Sequence, residues 1–250
     1  MDITGSVVPM QALDYLSAVF PGLTGLDDAL IGQLTSVSRV LQVATNAVLF
    51  RQGAETDSLN WLLDGQVALF QAGQGGDDTV IDILRPVAGI AVGGVVFGQT
   101  YPVTARALAP TSVLTIGAAP FRGLMASRPA LALEVMQSIS RETVDAIWQI
   151  VDLKSRKAAQ RLGCYLMSLM ADPDASSAEF RLPIQKGMIA AKLGCRQENL
   201  SRAFATLQAL GVETHGSWIR VSDVPRLRAF CASRKTGSAA AEAFSSAFDL

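Results

Sequence analysis

Residues 182–221 read LPIQKGMIAAKLGCRQENLSRAFATLQALGVETHGSWIRV, and this stretch decides how the C-terminal third of the chain folds. Apolar residues at helical spacing predict a first helix over residues 186–193. Gly194 follows at once, and glycine readily takes the left-handed conformation that ends a helix. The predicted buried side of this helix consists of Ile189, Ala190 and Leu193.

A second helix is predicted from residue 195 to residue 210, and Gly211 ends it. Two short apolar runs, at residues 212–214 and 218–221, flank a turn at residues 215–217 and predict a β-hairpin. Helix, tight turn, second helix and hairpin in this order indicate a winged helix-turn-helix, whose second helix enters the major groove of DNA. The predicted buried positions of the second helix are Leu200, Ala203, Phe204 and Leu207.

The opposite face of the second helix carries the candidate residues for reading bases. Glu198 and Arg202 lie four positions apart and therefore share one face of the helix. A glutamate can accept a hydrogen bond from cytosine, and an arginine can donate two to guanine. The alternative is an ion pair between them that only stabilises the helix. The predicted base contacts are Gln197, Glu198, Ser201 and Arg202, and the predicted phosphate contacts are Gln185, Lys186, Arg196, His215 and Ser217.

Charge is distributed unevenly along the chain. Residues 153–235 carry 14 Lys and Arg against 6 Asp and Glu, which is a net charge of +8. The rest of the chain carries 7 against 16, a net charge of −9, so the whole chain has a net charge of −1. Ordinary surface charge is the alternative explanation, but a basic region of this size indicates contact with phosphates.

Short apolar runs alternate with turn residues between residues 37 and 116, after one or two short helices over residues 10–36. Several short strands at this spacing predict a β-sandwich or β-barrel. The glycine-rich residues 91–97 are included among these runs. Asp64 and Gly65 lie between two of them and predict a hairpin turn.

A long helix is predicted next, because no Gly or Pro interrupts residues 130–161. Ser127 is the predicted N-cap, and residues 154–157 are a predicted hinge. Apolar and small residues recur along this helix at alternating spacings of four and three, which is typical of a seam between two helices. Burial within one chain is the alternative. The predicted dimer seam consists of Met136, Ile139, Thr143, Ala146, Ile150 and Leu153.

The sequence GCRQENLSR at residues 194–202 resembles the CRP/FNR family of bacterial regulators. Two upstream segments, LFRQG at residues 49–53 and WLLDGQV at residues 61–67, are similar to the β-roll sensor of that family. The resemblance covers about residues 12–232. The sequence TYPVTA at residues 100–105 is most similar to the nitric-oxide-responsive branch, the dissimilatory nitrate respiration regulators.

The resemblance implies an α+β protein with a cupin-like β-roll, or double-stranded β-helix, as a cyclic-nucleotide-binding-like sensor domain. It implies an effector-sensing domain over residues 1–126, a dimerisation helix over 127–153, a winged helix-turn-helix over 154–232 and a flexible tail over 233–250. It also implies a homodimer that works with RNA polymerase, as an activator or as a repressor, with activation as the expected role. In this family a helix with Glu, Ser and Arg at the positions of Glu198, Ser201 and Arg202 accompanies inverted half-sites similar to TTGAT.

Each cofactor known in the family requires particular residues, and the sequence can be searched for them. Members that bind cyclic nucleotides carry a Gly-Glu pair and then an Arg followed by Ser or Thr, but residues 93–106 contain no acidic residue and Arg106 comes too late. We therefore expect no binding of cyclic AMP. The iron–sulfur branch needs an N-terminal cysteine cluster, and no cysteine precedes Cys164. The single histidine, His215, lies in the wing, so the sensor domain offers no histidine ligand for a haem. Haem binding is then possible only with Met, Tyr or a thiol as the ligand of the iron. The sequence assigns no effector.

Other classes of protein are excluded by what the sequence lacks. A cupin-type metalloenzyme needs clustered His and carboxylate ligands, so no catalytic residue and no metal site are predicted. No apolar run approaches the roughly 20 residues of a membrane-spanning helix, and no secretion signal is present. We expect a soluble, cytoplasmic protein. The alternative functions are a ligand-binding module that regulates a protein partner and a regulator that responds to a cyclic nucleotide.

The cysteines give one further expectation. Cys164, Cys195 and Cys231 are widely spaced and odd in number, which predicts neither a disulfide framework nor a metal site and fits a reducing compartment. Cys164 and Cys195 are predicted to be small buried side chains.

Overall fold

The computed structural model describes residues 7–8, 12–21, 28–73, 78–172 and 174–232. The chain divides into two compact units, Met1–Val144 and Asp145–Leu250. The predicted flexible tail at residues 233–250 lies outside the described residues. None of the helices within the described ranges has the length and apolar character needed to cross a membrane.

The first unit is built around two antiparallel sheets. One has the strand order β1-β2-β9-β4-β7 and the other has the order β3-β8-β5-β6. This arrangement confirms the predicted β-rich N-terminal domain. The elements are β1 Val7–Val8, α1 Ala12–Val19, α2 Asp28–Val37, β2 Ser38–Val43, β3 Val48–Phe50, β4 Ser58–Asp64, β5 Val67–Gln71, β6 Thr79–Leu84, β7 Ala88–Ile90, α3 Val92–Val96, β8 Thr104–Ala107, β9 Thr111–Gly117 and α4 Ala118–Ser127.

The core of the first unit forms because apolar side chains alternate along its strands and meet the helices that cover them. Aromatic rings join the layers: Phe20 contacts Trp61 edge-on at 5.1 Å between ring centroids, and both rings contact Phe121. Leu131 and Val135, at the start of the long helix α5 Pro129–Ser155, are also fully buried in this core.

The predicted hairpin turn at Asp64 and Gly65 is wrong. Strand β4 belongs to the five-stranded sheet and β5 to the four-stranded sheet, so the chain passes from one sheet to the other at this turn. Gly65 has a φ of 89°, and a Cβ there would lie 2.5 Å from the carbonyl oxygen of Pro110. A turn glycine therefore marks a close approach of backbones here, and not a pair of neighbouring strands.

Two further expectations about helices need correction. Residues 92–96 form the short helix α3 and not a strand, because the buried residues Val92 and Val95 are three positions apart and face the core together. Ser127 is not an N-cap. It is the last residue of α4, and its hydroxyl donates to the carbonyl oxygens of Gly123 and Leu124 at 3.2 and 3.1 Å.

The predicted long helix is present as α5, and it ends at Ser155 within the predicted hinge. The second unit then folds as a helical domain with a three-stranded sheet of order β10-β12-β11. The predicted helix-turn-helix and hairpin are confirmed, and β10 was not predicted. The elements are α6 Ala158–Met167, β10 Ala178–Arg181, α7 Lys186–Lys192, α8 Gln197–Gln208, β11 Val212–His215, β12 Trp218–Val221 and α9 Val224–Ala232.

Two burial predictions in the second unit are wrong. Phe204 is half-buried, because its ring lies at the edge of α8 beneath the Lys186 ammonium. Cys164 and Cys195 are also half-buried, whereas Cys231 is buried. All three thiols are free in the structure.

Candidate DNA interface

A fixed turn sets the angle between α7 and α8. The Cys195 amide donates to the carbonyl of Ala190 at 2.9 Å, and Gly194 takes a φ of 60°. This bond across a left-handed glycine is the usual way to satisfy the last carbonyls of a helix. Arg161 of α6 anchors the turn from below, because its Nε donates to the carbonyl of Leu193 at 3.0 Å.

Helix α8 separates a buried face from a polar one. Leu200, Ala203 and Leu207 are buried in the core of the second unit. All four predicted base contacts, Gln197, Glu198, Ser201 and Arg202, are exposed on the other side. Glu198 lies in the first turn, where a carboxylate is favoured by the helix dipole.

The two charged residues of this face do not neutralise each other. Glu198 and Arg202 both belong to the described part of the chain, and no ion pair joins them there. The alternative of a simple helix-stabilising pair is therefore not realised. Ser201 donates to the carbonyl of Gln197 at 3.1 Å, which leaves its oxygen able to accept.

Two depressions flank the exposed face of α8. The first brings three predicted residues together, because Lys186, Gln197 and Ser201 line it with Phe204. The Lys186 ammonium lies 5.0 Å from the centre of the Phe204 ring, which holds this cation beside α8.

The second depression surrounds Arg202 on the opposite edge of α8. It is lined by Asn199 and Arg202 together with Lys157, which precedes α6. From the sequence, Lys157 was predicted to lie in a hinge and not beside the candidate DNA-binding helix. Its place beside α8 depends on how α6 packs, and no local pattern in the sequence reports that.

The wing presents its predicted residues differently. His215 is exposed, and its Nε2 lies 3.9 Å from the Glu213 carboxylate. The Ser217 hydroxyl accepts a hydrogen bond from Arg181 Nε at 3.1 Å, so it is engaged within the chain. Arg181, on β10, is an exposed cation that sequence reasoning missed. The alternation in Ala178–Arg181 is the signal that could have found it.

In the first unit, the residues at the expected position of a phosphate cassette are engaged within the chain. The Arg106 guanidinium lies 3.5 Å from the Asp78 carboxylate and 4.8 Å from the centre of the Phe70 ring. The carbonyl of Val95 in α3 accepts from Arg122 Nη1 at 3.0 Å. Arg106 therefore forms a surface ion pair. This agrees with the prediction from its position, which is several residues after the place of the cassette arginine.

Two buried hydroxyl groups of the first unit, those of Tyr101 and Thr115, are likewise hydrogen-bonded within the chain. The Tyr101 hydroxyl donates to the carbonyl of Ser58 at 2.7 Å, and burial raises the pKa of Tyr101 above its ordinary value. The Thr115 hydroxyl donates to Asn60 at 2.9 Å. A raised pKa and an engaged hydroxyl do not suit Tyr101 as a haem ligand. Within the described ranges, no three His, Cys, Asp or Glu side chains could together hold a metal ion.

Known proteins match both units. Residues 40–128 match the cyclic nucleotide-binding domain family, and residues 160–230 match the Crp-like helix-turn-helix domain family. The transcriptional activator protein FnrA of Stutzerimonas stutzeri is 30% identical over 191 residues, which cover 75% of this chain and 78% of that protein. The chain belongs to the CRP/FNR family of transcription regulators.

Two solved structures share the fold. A Ruegeria pomeroyi protein named for cyclic nucleotide binding is 26% identical, with a TM-score of 0.64 over 89% of this chain and 100% of that one. FixK2 from Bradyrhizobium japonicum is 18% identical, with a TM-score of 0.67 over 79% and 98% of the two chains. A sensor-type β domain, a long helix and a DNA-binding helix-turn-helix are therefore the arrangement of this family member.

Proposed function

We propose that this CRP/FNR regulator binds a two-fold symmetric promoter site as a homodimer and reads it with the exposed face of α8. The observation that carries the proposal is the unpaired state of Glu198 and Arg202, both exposed on a helix whose opposite face is fixed in the core. Charged groups that lack partners within an ordered domain are suited to partners outside it.

The proposed DNA contacts fall into two groups, one for base edges and one for phosphates. Gln197, Glu198, Ser201 and Arg202 meet base edges, and the half-site resembles TTGAT, as in family members with the same Glu, Ser and Arg. Lys186 and Arg196 hold the helix by meeting phosphates, with Gln185, His215 and Ser217 alongside them. Arg181 is added to this set because it is exposed beside Ser217.

Helix α5 supplies the dimer seam. Large apolar side chains stand exposed along it, and the fractions exposed are 63% for Met136, 51% for Ile150 and 49% for Leu153. The hydroxyl of Thr143 donates back to the carbonyl of Ile139 at 2.8 Å, so a polar residue of the seam has its donor satisfied. Ala146 leaves room for close approach. An uncovered apolar stripe of this kind favours a second copy of the helix.

Two refinements of the seam follow from the exposed fractions. Ile139 is half-buried against the core of the first unit, so it stabilises the chain's own fold as well as the dimer. Leu133 and Ile147 are 55% and 53% exposed and extend the stripe. We therefore add these two residues to the seam.

Control by an effector is assigned to the first unit. Cyclic AMP is not that effector, because the cassette lacks its acidic residue and Arg106 is engaged by Asp78. The protein acts as a regulator without enzyme activity, in the cytoplasm beside the chromosome, with RNA polymerase as its protein partner.

A duplex carrying two inverted TTGAT-like half-sites tests the proposal against the alternative of a protein-docking module. We expect a salt-dependent complex with this duplex and a much weaker one with a scrambled duplex of the same composition, because phosphate contacts release counterions and base contacts add specificity. Equal binding to both duplexes, or none to either, contradicts the proposal.

A further inference from the structure

Two thiols that are far apart in sequence meet inside the second unit. Cys164 lies on α6 and Cys231 on α9, and these helices pack against each other. The approach is close because α6 has Gly163 at the contact: a Cβ there would lie 2.7 Å from the Cys231 sulfur. The Cys231 side chain is buried, whereas Cys164 is half-buried.

The Cys231 sulfur lies against α6 beside Cys164, and each thiol shifts the pKa of the other. The Cys231 sulfur also lies 3.9 Å from the carbonyl oxygen of Gln160, one turn before Cys164 on α6. The Cys231 thiol therefore donates to the backbone of α6 one turn before Cys164.

A cation completes the cluster. Arg156 pairs with Asp152 at 2.9 Å, but its Nε is buried without a hydrogen-bond partner within the described part of the chain. The neighbouring Cys231 thiol and the charge of Arg156 outweigh burial and Asp152, and the pKa of Cys164 is lowered to about 7. The pKa of Cys231 is raised in turn, whereas burial alone raises the pKa of Cys195.

We propose that Cys164 and Cys231 are a reactive thiol pair that a peroxide converts into an intramolecular disulfide. A half-exposed cysteine beside a cation, with a second thiol in contact, has the features of an oxidisable site.

The reaction balances with hydrogen peroxide as the oxidant. The Cys164 thiolate attacks one peroxide oxygen, the O–O bond breaks, and the departing hydroxide takes up a proton and leaves as water. Cys164 is then a sulfenic acid. The Cys231 sulfur attacks that sulfur, the S–O bond breaks, and the hydroxide leaves as water with the proton of Cys231. The two thiols lose two electrons, and peroxide is reduced to water.

The disulfide changes the packing beneath α8. A disulfide holds its sulfurs about 2.05 Å apart, so we expect its formation to change how α6 packs on α9. The Leu207 side chain of α8 lies 3.8 Å from where a Cβ of Gly163 would stand, so the change occurs next to the recognition helix. This consequence rests on the proposed DNA binding. We expect oxidation to lower DNA affinity about tenfold, equivalent to 1.4 kcal/mol.

Purified full-length protein treated with hydrogen peroxide tests the pair. After alkylation and proteolysis, mass spectrometry should find the peptides of Cys164 and Cys231 joined, and reduction should separate them. Cys195→Ser is the matched control and should form the same link. In Cys231→Ser the reaction should stop at a Cys164 sulfenic acid, which dimedone traps. The rate of Cys164 alkylation should rise with pH through about 7, because the lowered pKa supplies thiolate there.

The two levels of the proposal fail separately. Absence of the Cys164–Cys231 link in wild type, or linking through Cys195 instead, overturns the thiol pair. A link that forms while DNA affinity stays unchanged overturns only its effect on α8. Reduced protein that binds no duplex counts against the proposed DNA binding and leaves the thiol result standing.

Discussion

Arg106 in the first unit ends the segment compared with a phosphate cassette, and Arg202 in the second lies on the proposed DNA-reading face of α8, but their surroundings differ. Arg106 pairs with Asp78 and covers the Phe70 ring. Arg202 is exposed at the edge of α8 and forms no ion pair within the described part of the chain. An engaged arginine stabilises its own domain, and an unengaged one on a rigid helix is suited to bind something else.

The same contrast applies to apolar surface. Trp61 and Phe121 are buried in the core of the first unit and their rings contact each other. Met136 and Ile150, by contrast, have side chains exposed along α5. Burying apolar area is worth about 25 cal/mol per Å², so a stripe of such residues favours a partner helix.

The largest expected effect concerns that stripe. Ile150→Asp should convert the dimer into monomers, because it places an unpaired charge in the seam at a cost of several kcal/mol. Ile150 is exposed in the single chain, so the fold should survive. Sedimentation at micromolar concentration measures the change, and Ile81→Asp, on the exposed face of β6, is the control. A dimeric Ile150→Asp protein would show that the seam is misassigned. Ile139→Asp is a less specific test, because Ile139 also contacts the core.

The contrast also requires that α8 be held rigidly, and Gly194 tests this. Gly194→Ala should lower the free energy of unfolding of the second unit by about 1–2 kcal/mol, since a φ of 60° is unfavourable for alanine. Its Cβ would also approach the Leu153 side chain to 2.7 Å. Gly123→Ala in α4, where no atom is near, is the control. Denaturant titration measures the free energy of unfolding of both variants. If it is the same for Gly194→Ala as for Gly123→Ala, the turn at Gly194 does not require a glycine.

A smaller effect separates phosphate contacts from base contacts. Lys186→Ala should weaken binding to all duplexes alike and reduce the slope of log affinity against log salt by about 1. Arg226→Ala on α9 removes the same charge from a helix outside the proposed interface and should leave the slope unchanged. If Lys186→Ala changes the sequence preference instead, then Lys186 reads bases.

The smallest effect is expected at the engaged arginine. Arg106→Ala should cost less than about 1 kcal/mol of stability, because a partly exposed ion pair contributes little. Calorimetry should find no cyclic AMP binding in wild type or in this variant. Micromolar affinity in wild type that disappears in Arg106→Ala would restore a cyclic-nucleotide site and end the contrast between the two arginines.

Local patterns predicted the second unit well. The glycines at 194 and 211 and the spacing of Leu200 and Leu207 define α8 without reference to the rest of the chain. The long helix α5 was also predicted, since an uninterrupted helical run is a local property.

What the sequence failed to predict depends on contacts between distant residues. Gly65 joins two sheets because the backbone at Pro110 lies against it, and nothing near Gly65 in sequence reports this. Likewise, the contact between Cys164 and Cys231 exists only through the packing of α6 on α9. Arg181 was missed because β10 is only four residues long.

The most direct test of the central claim is a binding selection from randomised duplexes, run on wild type and on Arg202→Ala with Arg226→Ala as control. Wild type and Arg226→Ala should enrich an inverted repeat similar to TTGAT, with half-sites one helical turn or a multiple apart. Arg202→Ala should bind about 1–3 kcal/mol more weakly and lose its preference at one base pair of each half-site. A wild type that enriches no inverted repeat, or an Arg202→Ala protein with unchanged preference, would contradict the assignment of α8 as the recognition helix.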